Sequence, residues 1–286
     1  IARYNTTAQF TEQDAYVRAA DCYYMNRDFA KADGMYGNVI SNALLQSDYA
    51  MLQRAMIAGV KSSSSKINTL NALNRQYHSS LVPDANMEIA NTYMADEKFN
   101  DALPYLKNIL TSANGGGLKP MAYLKSGLCY YNLNKNNEAL DNYQQLIQKY
   151  PQSNEADEAL DNIKNIYVEE GRPNEYVELM RKNGKNISVT EADSLTYTAA
   201  ELKYNNNDCT GAINGFNNYL SQYPNGAFAL EANYFRSECF YKNKDWANAL
   251  KGYEYVNSKG LNKFFEKATL TAARINYFEL KDYAGA

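Results

Sequence analysis

The sequence predicts an all-α solenoid, a stack of helical hairpins forming one continuous unit over residues 1–286. Three observations lead there. First, small and aromatic residues recur in frames that begin near residues 13, 48, 83, 120, 157, 193, 230 and 267, with steps of 35, 35, 37, 37, 36, 37 and 37. Second, Pro83, Pro120, Pro151, Pro173 and Pro224 fall at the turns this frame predicts. Pro104 falls in the first turn of a helix, where a missing N–H costs least. Third, 45% hydrophobic and 21% charged residues describe a chain that folds. Each hairpin carries apolar residues at helical spacing on faces it cannot bury alone, so stacking neighbours supply the core.

The clearest copy runs from Met121 to Pro151. Counted from Pro120, it places Tyr123, Gly127, Tyr130, Ala139, Tyr143 and Pro151 at repeat positions 4, 8, 11, 20, 24 and 32. This pattern resembles the tetratricopeptide repeat (TPR), which has an aromatic, a small residue, Tyr, Ala, an aromatic and Pro at those sites. The resemblance implies a right-handed superhelix of about seven to eight hairpins, with the first helices lining its inner surface. Gly127 and Ala139 then read as sites where helices touch.

The other copies follow in order. Residues 1–11 precede the first frame as an entry segment or the remnant of an earlier repeat. Repeat one carries Tyr16, Ala20, Tyr23, Ala32 and Tyr36, a turn at Asn26-Arg27-Asp28, and a second helix from Phe29. Repeat two is degenerate: Ala55 and Ala58 fit, Ile67 replaces the usual Ala, the turn is Ser62–Ser65, and Tyr77-His78-Ser79-Ser80 closes it. Repeat three has Ala90, Tyr93, Ala102 and Leu106, followed by the separator Gly115-Gly116-Gly117. Repeat five has Tyr167, the turn Gly171-Arg172-Pro173, and Tyr176 in the Ala site, which should push its helices apart. Repeat six has Ala200, Ala212, Phe216 and Tyr223-Pro224; repeat seven has Ser237, Phe240, Ala249 and Tyr253, with Trp246 before the second helix. Repeat eight is incomplete, and Lys281-Asp282-Tyr283 reads as the start of a second helix. The opening residues do not read as a signal peptide, and a start without Met suggests a mature chain or a piece of a longer one.

Composition narrows the function. A net charge of −3 without a basic block argues against nucleic acid, and no apolar run approaches the roughly 18 residues of a membrane span. Cys22, Cys129, Cys209 and Cys239 show neither CxxC pairing nor zinc-ligand spacing. Cys22, Cys129 and Cys239 share repeat position 10, a buried packing site, and lie too far apart for a disulfide or a shared metal. Cys209 lies in a turn as a free thiol. His78, the one histidine, has no partner for a triad or a metal and reads as a loop residue. The Gly triple lacks the GK[ST] of a phosphate loop, and the adjacent pair Glu169-Glu170 diverges around its helix. The expectation is therefore a non-catalytic chain with no metal and no cofactor.

In the family that the repeats resemble, ligands contact the inner face through positions 2, 5, 9, 12 and 13. Position 12 here reads Tyr24, Gly59, Met94, Tyr131, Val168, Tyr204, Tyr241 and Phe278. Position 9 adds Asp21, Asn91, Asn165, Glu201 and Glu238, and position 5 adds Tyr197 and Tyr234. Tyr rings suit peptide or protein recognition, and the carboxylates would favour a basic partner. The same tyrosines could instead pack neighbouring repeats against each other. The basic clamp that grips C-terminal carboxylates is absent: repeat seven has Lys242 at position 13, but Tyr234 and Glu238 at the other two sites. The resemblance thus implies a protein-interaction scaffold with a peptide or protein partner on the concave face. The junctions QKYPQSNEADEAL and SQYPNGAFALEANYF resemble bacterial cell-envelope TPR proteins, and the Tyr- and Asn-rich composition resembles Bacteroidetes proteins, implying a periplasmic or outer-membrane-associated setting, with the cytoplasm as the alternative. A glycan-binding helical repeat and a regulatory module of a larger protein are the other readings.

Overall fold

The computed structural model describes residues 2–76 and 79–286. Ile1, Tyr77 and His78 lie outside the described residues, and with them the reading of His78 as a loop residue. The described residues contain helices and no strand. The pairs are α1 (Ala2–Met25) with α2 (Phe29–Ser41), α3 (Ser47–Gly59) with α4 (Ser63–Gln76), and α5 (Val82–Ala95) with α6 (Phe99–Thr111). After a 3₁₀ helix at Ala113–Leu118 come α7 (Lys119–Asn132) and α8 (Asn136–Lys149). Next are α9 (Asn154–Glu170) with α10 (Pro173–Lys182), α11 (Val189–Asn205) with α12 (Cys209–Gln222), and α13 (Ala229–Lys242) with α14 (Trp246–Ser258). Last come α15 (Phe265–Arg274) and a π-helix at Ile275–Leu280. The fold is the all-α TPR solenoid that the period predicted. It divides into two compact units, residues 1–160 and 161–286.

One turn chemistry joins the two helices in most hairpins. Arg27, Glu97, Asn134, Asn207 and Lys244 have φ between 57° and 60°, and Gly171 has φ 78°. Each reverses the chain in the left-handed region. The next N–H then reaches back to the carbonyl of repeat position 11: Asp28 to Tyr23, Lys98 to Tyr93, Lys135 to Tyr130, Arg172 to Tyr167, Asp208 to Lys203 and Asp245 to Phe240. This is the Schellman arrangement that satisfies the last carbonyls of a helix. Asp28, Asp208 and Asp245 then cap the second helix by accepting the N–H of Lys31, Gly211 and Asn248.

In the first unit the core is built from the predicted sites. Position 8 supplies buried Ala20, Ala55, Ala90 and Gly127, position 20 supplies Ala32, Ile67, Ala102 and Ala139, and position 24 supplies Tyr36, Leu106 and Tyr143. A Cβ on Gly127 would run into the Tyr143 ring, so Gly127 is a close-approach site as its position implied. In the second unit Ala200, Ser237, Ala212, Ala249, Phe216 and Tyr253 repeat the scheme. Each fully buried aromatic contributes about 1.5–3 kcal/mol.

Several expectations need correction. Residues 2–11 are not a separate segment, because α1 is continuous from Ala2 over 24 residues. Pro104 is not in the first turn; it is the sixth residue of α6 and removes one backbone hydrogen bond from the helix interior. Ser63–Ser65 are helical, with Ser62 accepting the Ser65 N–H at 3.3 Å, so the turn before α4 is shorter than expected. Gly115 is a buried member of the 3₁₀ helix, where a Cβ would meet the Ile109 carbonyl. Lys281-Asp282-Tyr283 forms a turn instead of a helix start: Lys281 is left-handed (φ 57°) and the Asp282 N–H bonds to the Asn276 carbonyl at 2.9 Å.

Candidate functional site

The position-12 residues sit in the last turn of the first helices. In the first unit Tyr24 and Tyr131 are half-buried. Tyr24 leans edge-on against Phe29, the first residue of α2, at 5.6 Å between ring centroids. In the second unit Tyr241 does the same against Trp246 at 5.4 Å. Tyr204 lies on Phe235 of α13 at 4.7 Å, with the Lys242 ammonium 5.3 Å from its ring centroid. Phe278, on the π-helix, is 59% exposed. Packing and exposure therefore coexist in this stripe: one side of a ring is held and the other is left open.

The position-5 tyrosines do not belong to an open face. Tyr197 and Tyr234 keep only 4% and 3% of their surface. Each stacks on the phenylalanine that precedes the next first helix: Tyr197 on Phe228 at 4.5 Å and 11° between planes, Tyr234 on Phe264 at 4.1 Å and 10°. Burial of two large rings against each other outweighs exposure of their polar tips. These residues are inter-repeat packing, which corrects their assignment to the partner face.

The carboxylates at position 9 have internal partners. Asp21 accepts the hydroxyl of Tyr36 at 2.6 Å and of Tyr49 at 3.1 Å, and pairs with Arg18 at 3.3 Å. Glu238 accepts the hydroxyl of Tyr253 at 2.6 Å and pairs with Lys267 at 2.9 Å. Glu201 accepts from Tyr197 at 2.7 Å. The tyrosines register this environment. Burial first, then the hydrogen bond to Asp21, push the Tyr36 hydroxyl far above its ordinary value. Burial and Glu238 do the same to Tyr253, and burial and Glu201 to Tyr197. Lys267 is raised, first by its hydrogen bond to Tyr234 and then by Glu238. The sequence located Asp21 and Glu238 but not the buried hydroxyls fifteen residues on, Tyr36 and Tyr253 at position 24, which were read as core alone.

Cys22 is exposed, not buried. Position 10 is covered by the start of the preceding second helix, as Phe99 packs in the core that holds Cys129. Cys129 and Cys239 are buried as expected.

Three hollows bear on the site. In the second unit Tyr241 and Phe278 share a hollow of about 200 Å³ with Arg274, Ile275 and Glu279. In the first unit Gly59 holds position 12 without a side chain and, with Met56, Lys66, Asn91 and Thr92, lines a hollow of about 400 Å³. A third, of about 580 Å³, lies along α2, α3 and α4, with Asp33, Arg54, Ile57 and Lys61 among its walls. The sequence reading passed over it; the signal was the pair Asp33 and Arg54, which form a 2.7 Å ion pair between α2 and α3. Among the described residues no three His, Cys, Asp or Glu side chains converge as metal ligands, and no helix is long and apolar enough to cross a membrane.

Comparison with known proteins agrees with the repeat. Two tetratricopeptide-repeat models match the chain, one over residues 14–43 and 121–153, the other over residues 197–256. The structure of Naa15/Naa10 bound to HypK-THB is similar, with 11% identity and a TM-score of 0.55, over 91% of this chain and 39% of that one. A tetratricopeptide repeat protein from Parabacteroides merdae has 11% identity and a TM-score of 0.49, over 92% of this chain and 98% of that one. The crystal structure of MamA has 18% identity and a TM-score of 0.46, over 57% and 91%. At 11% identity the likeness to the Naa15/Naa10 structure is one of fold. No curated protein matches the chain. Repeat matches in both units, hairpins in the predicted frame and the small-residue contacts between helices show that this chain carries tetratricopeptide repeats in both units.

Proposed function

We propose that the chain is a protein-interaction scaffold that takes a peptide or protein partner on the first-helix face of its repeats. Its repeats are of a kind that serves as a scaffold. The carrying observation is the hollow of the second unit, where Tyr241 and Phe278 present ring surface beside Arg274 and Glu279. Tyr241 is held by Trp246, so little side-chain freedom is lost when a partner lands on it. Asp21 and Glu238 already have cationic or hydroxyl partners, so the proposal rests on rings rather than on attraction of a basic partner. A cell-envelope setting belongs to the same proposal, supported by the junction sequences and tested by fractionation of the source cells.

The test is affinity purification from the source organism with wild type and with Tyr204→Ala/Tyr241→Ala, after circular dichroism shows the variant folded. Loss of an interface tyrosine anchor costs about 1–2 kcal/mol, so the partner should be recovered at least about tenfold less. Equal recovery of every partner by the two proteins would sink the first-helix face as the binding surface.

A further inference from the structure

The register of the repeats places two thiols together. Repeat position 17, the start of a second helix, packs in one core with position 10 of the following first helix. In the first unit this joins Phe29 with Ile57 and Phe99 with Cys129. In the second unit the same register joins Cys209, the first residue of α12, with Cys239 on α13. Cys239 is a buried member of that core, and Cys209 packs against the same core from the start of α12. Cys239 is buried, Cys209 is half-exposed, and neither is in a disulfide. The sequence reading set Cys209 in a turn and compared only the cysteines at position 10; Cys209 instead opens α12 and shares a core with Cys239 of the next first helix.

We propose that Cys209 and Cys239 are a cross-linking site, at which a reversible disulfide staples α12 to α13. A disulfide oxidant such as oxidised glutathione supplies the chemistry. The Cys209 thiolate, its proton lost to solvent, attacks one glutathione sulfur, forms a mixed disulfide and expels one glutathione thiolate. The Cys239 thiol loses its proton and attacks Cys209 Sγ, which expels the second glutathione. Two protein thiols are oxidised by two electrons, and one glutathione disulfide becomes two glutathiones. Burial pushes the Cys239 thiol up to about 12, so the second step is the slow one and the adduct at Cys209 comes first.

The experiment uses the full chain carrying Cys22→Ser, which removes the exposed thiol, and treats it with oxidised glutathione. Peptide mass mapping without reductant should give a Cys209–Cys239 linked pair lighter by two hydrogens. The melting midpoint should rise by several degrees and return on addition of dithiothreitol. The further variant Cys239→Ala should stop at the glutathione adduct on Cys209. Absence of the linked pair, with or without the adduct, overturns the proposal, as does a linked pair whose melting midpoint does not rise.

Discussion

Repeats one and seven solve the same problem with different neighbours. Each sets an acid at position 9 against the fully buried tyrosine at position 24 of its own hairpin, at 2.6 Å in both cases. The next first helix then supplies another partner. For Asp21 it is the hydroxyl of Tyr49, with Arg18 alongside; for Glu238 it is the ammonium of Lys267. Side-chain exposure of the acid is 23% in repeat one and 14% in repeat seven. The more buried acid has fewer partners and one full countercharge. Burying a charge is tolerated when its hydrogen bonds are complete, and the two repeats complete them by different routes.

The largest effect should come from alkali. An unfolded tyrosine ionises near 10, while Tyr36 and Tyr253 hold their protons well above that value in the fold. Above pH 10 the native state therefore binds more protons than the unfolded one. Stability is full below pH 10 and falls as pH rises, by about 1.4 kcal/mol per pH unit for each tyrosine. Urea denaturation across this range should show a shallower fall in Tyr36→Phe and in Tyr253→Phe; an unchanged slope would remove these hydroxyls from the account. The next effect separates the two repeats at neutral pH. Tyr253→Phe leaves Glu238 with Lys267 and should cost about 2 kcal/mol, whereas Tyr36→Phe leaves Asp21 two partners and should cost about 1 kcal/mol. Denaturant midpoints that reverse this order would break the comparison. The smallest effect concerns the outer partners. Lys267 is 66% exposed, so Lys267→Met should cost about 0.5 kcal/mol and lose its effect at high salt. Tyr49→Phe, which removes a neutral donor, should cost a similar amount that salt does not change.

Much of the fold was legible because its signals are local. The turn Asn26-Arg27-Asp28 and the start at Phe29 are where the structure puts them, and so is the contact of Gly127 with Tyr143. Pro104 was read too leniently, because α6 already begins at Phe99 and its hairpin packing tolerates a missing bond inside the helix. The candidate face was harder. Repeat position says which way a Cβ leaves its helix, not which ring arrives from the next one. Tyr197 and Tyr204 both lie on α11, yet the first is sealed under Phe228 while the second keeps an open edge. The missed signal was a phenylalanine about thirty residues downstream, at Phe228 and again at Phe264. The cysteine reading failed for the same reason: it compared equal positions, whereas contact joins position 17 to position 10 of the next copy.

The shared acid also limits how such a chain can be cut and recombined. A hairpin carrying Glu238 brings its own Tyr253 wherever it is placed, but not Lys267, which belongs to the hairpin that follows. Grafted ahead of a neighbour without a cation or hydroxyl at that spot, it would present a half-answered charge at the seam. Successive copies are thus less interchangeable than their common period suggests, and their order along the chain is written partly in which neighbour completes which carboxylate.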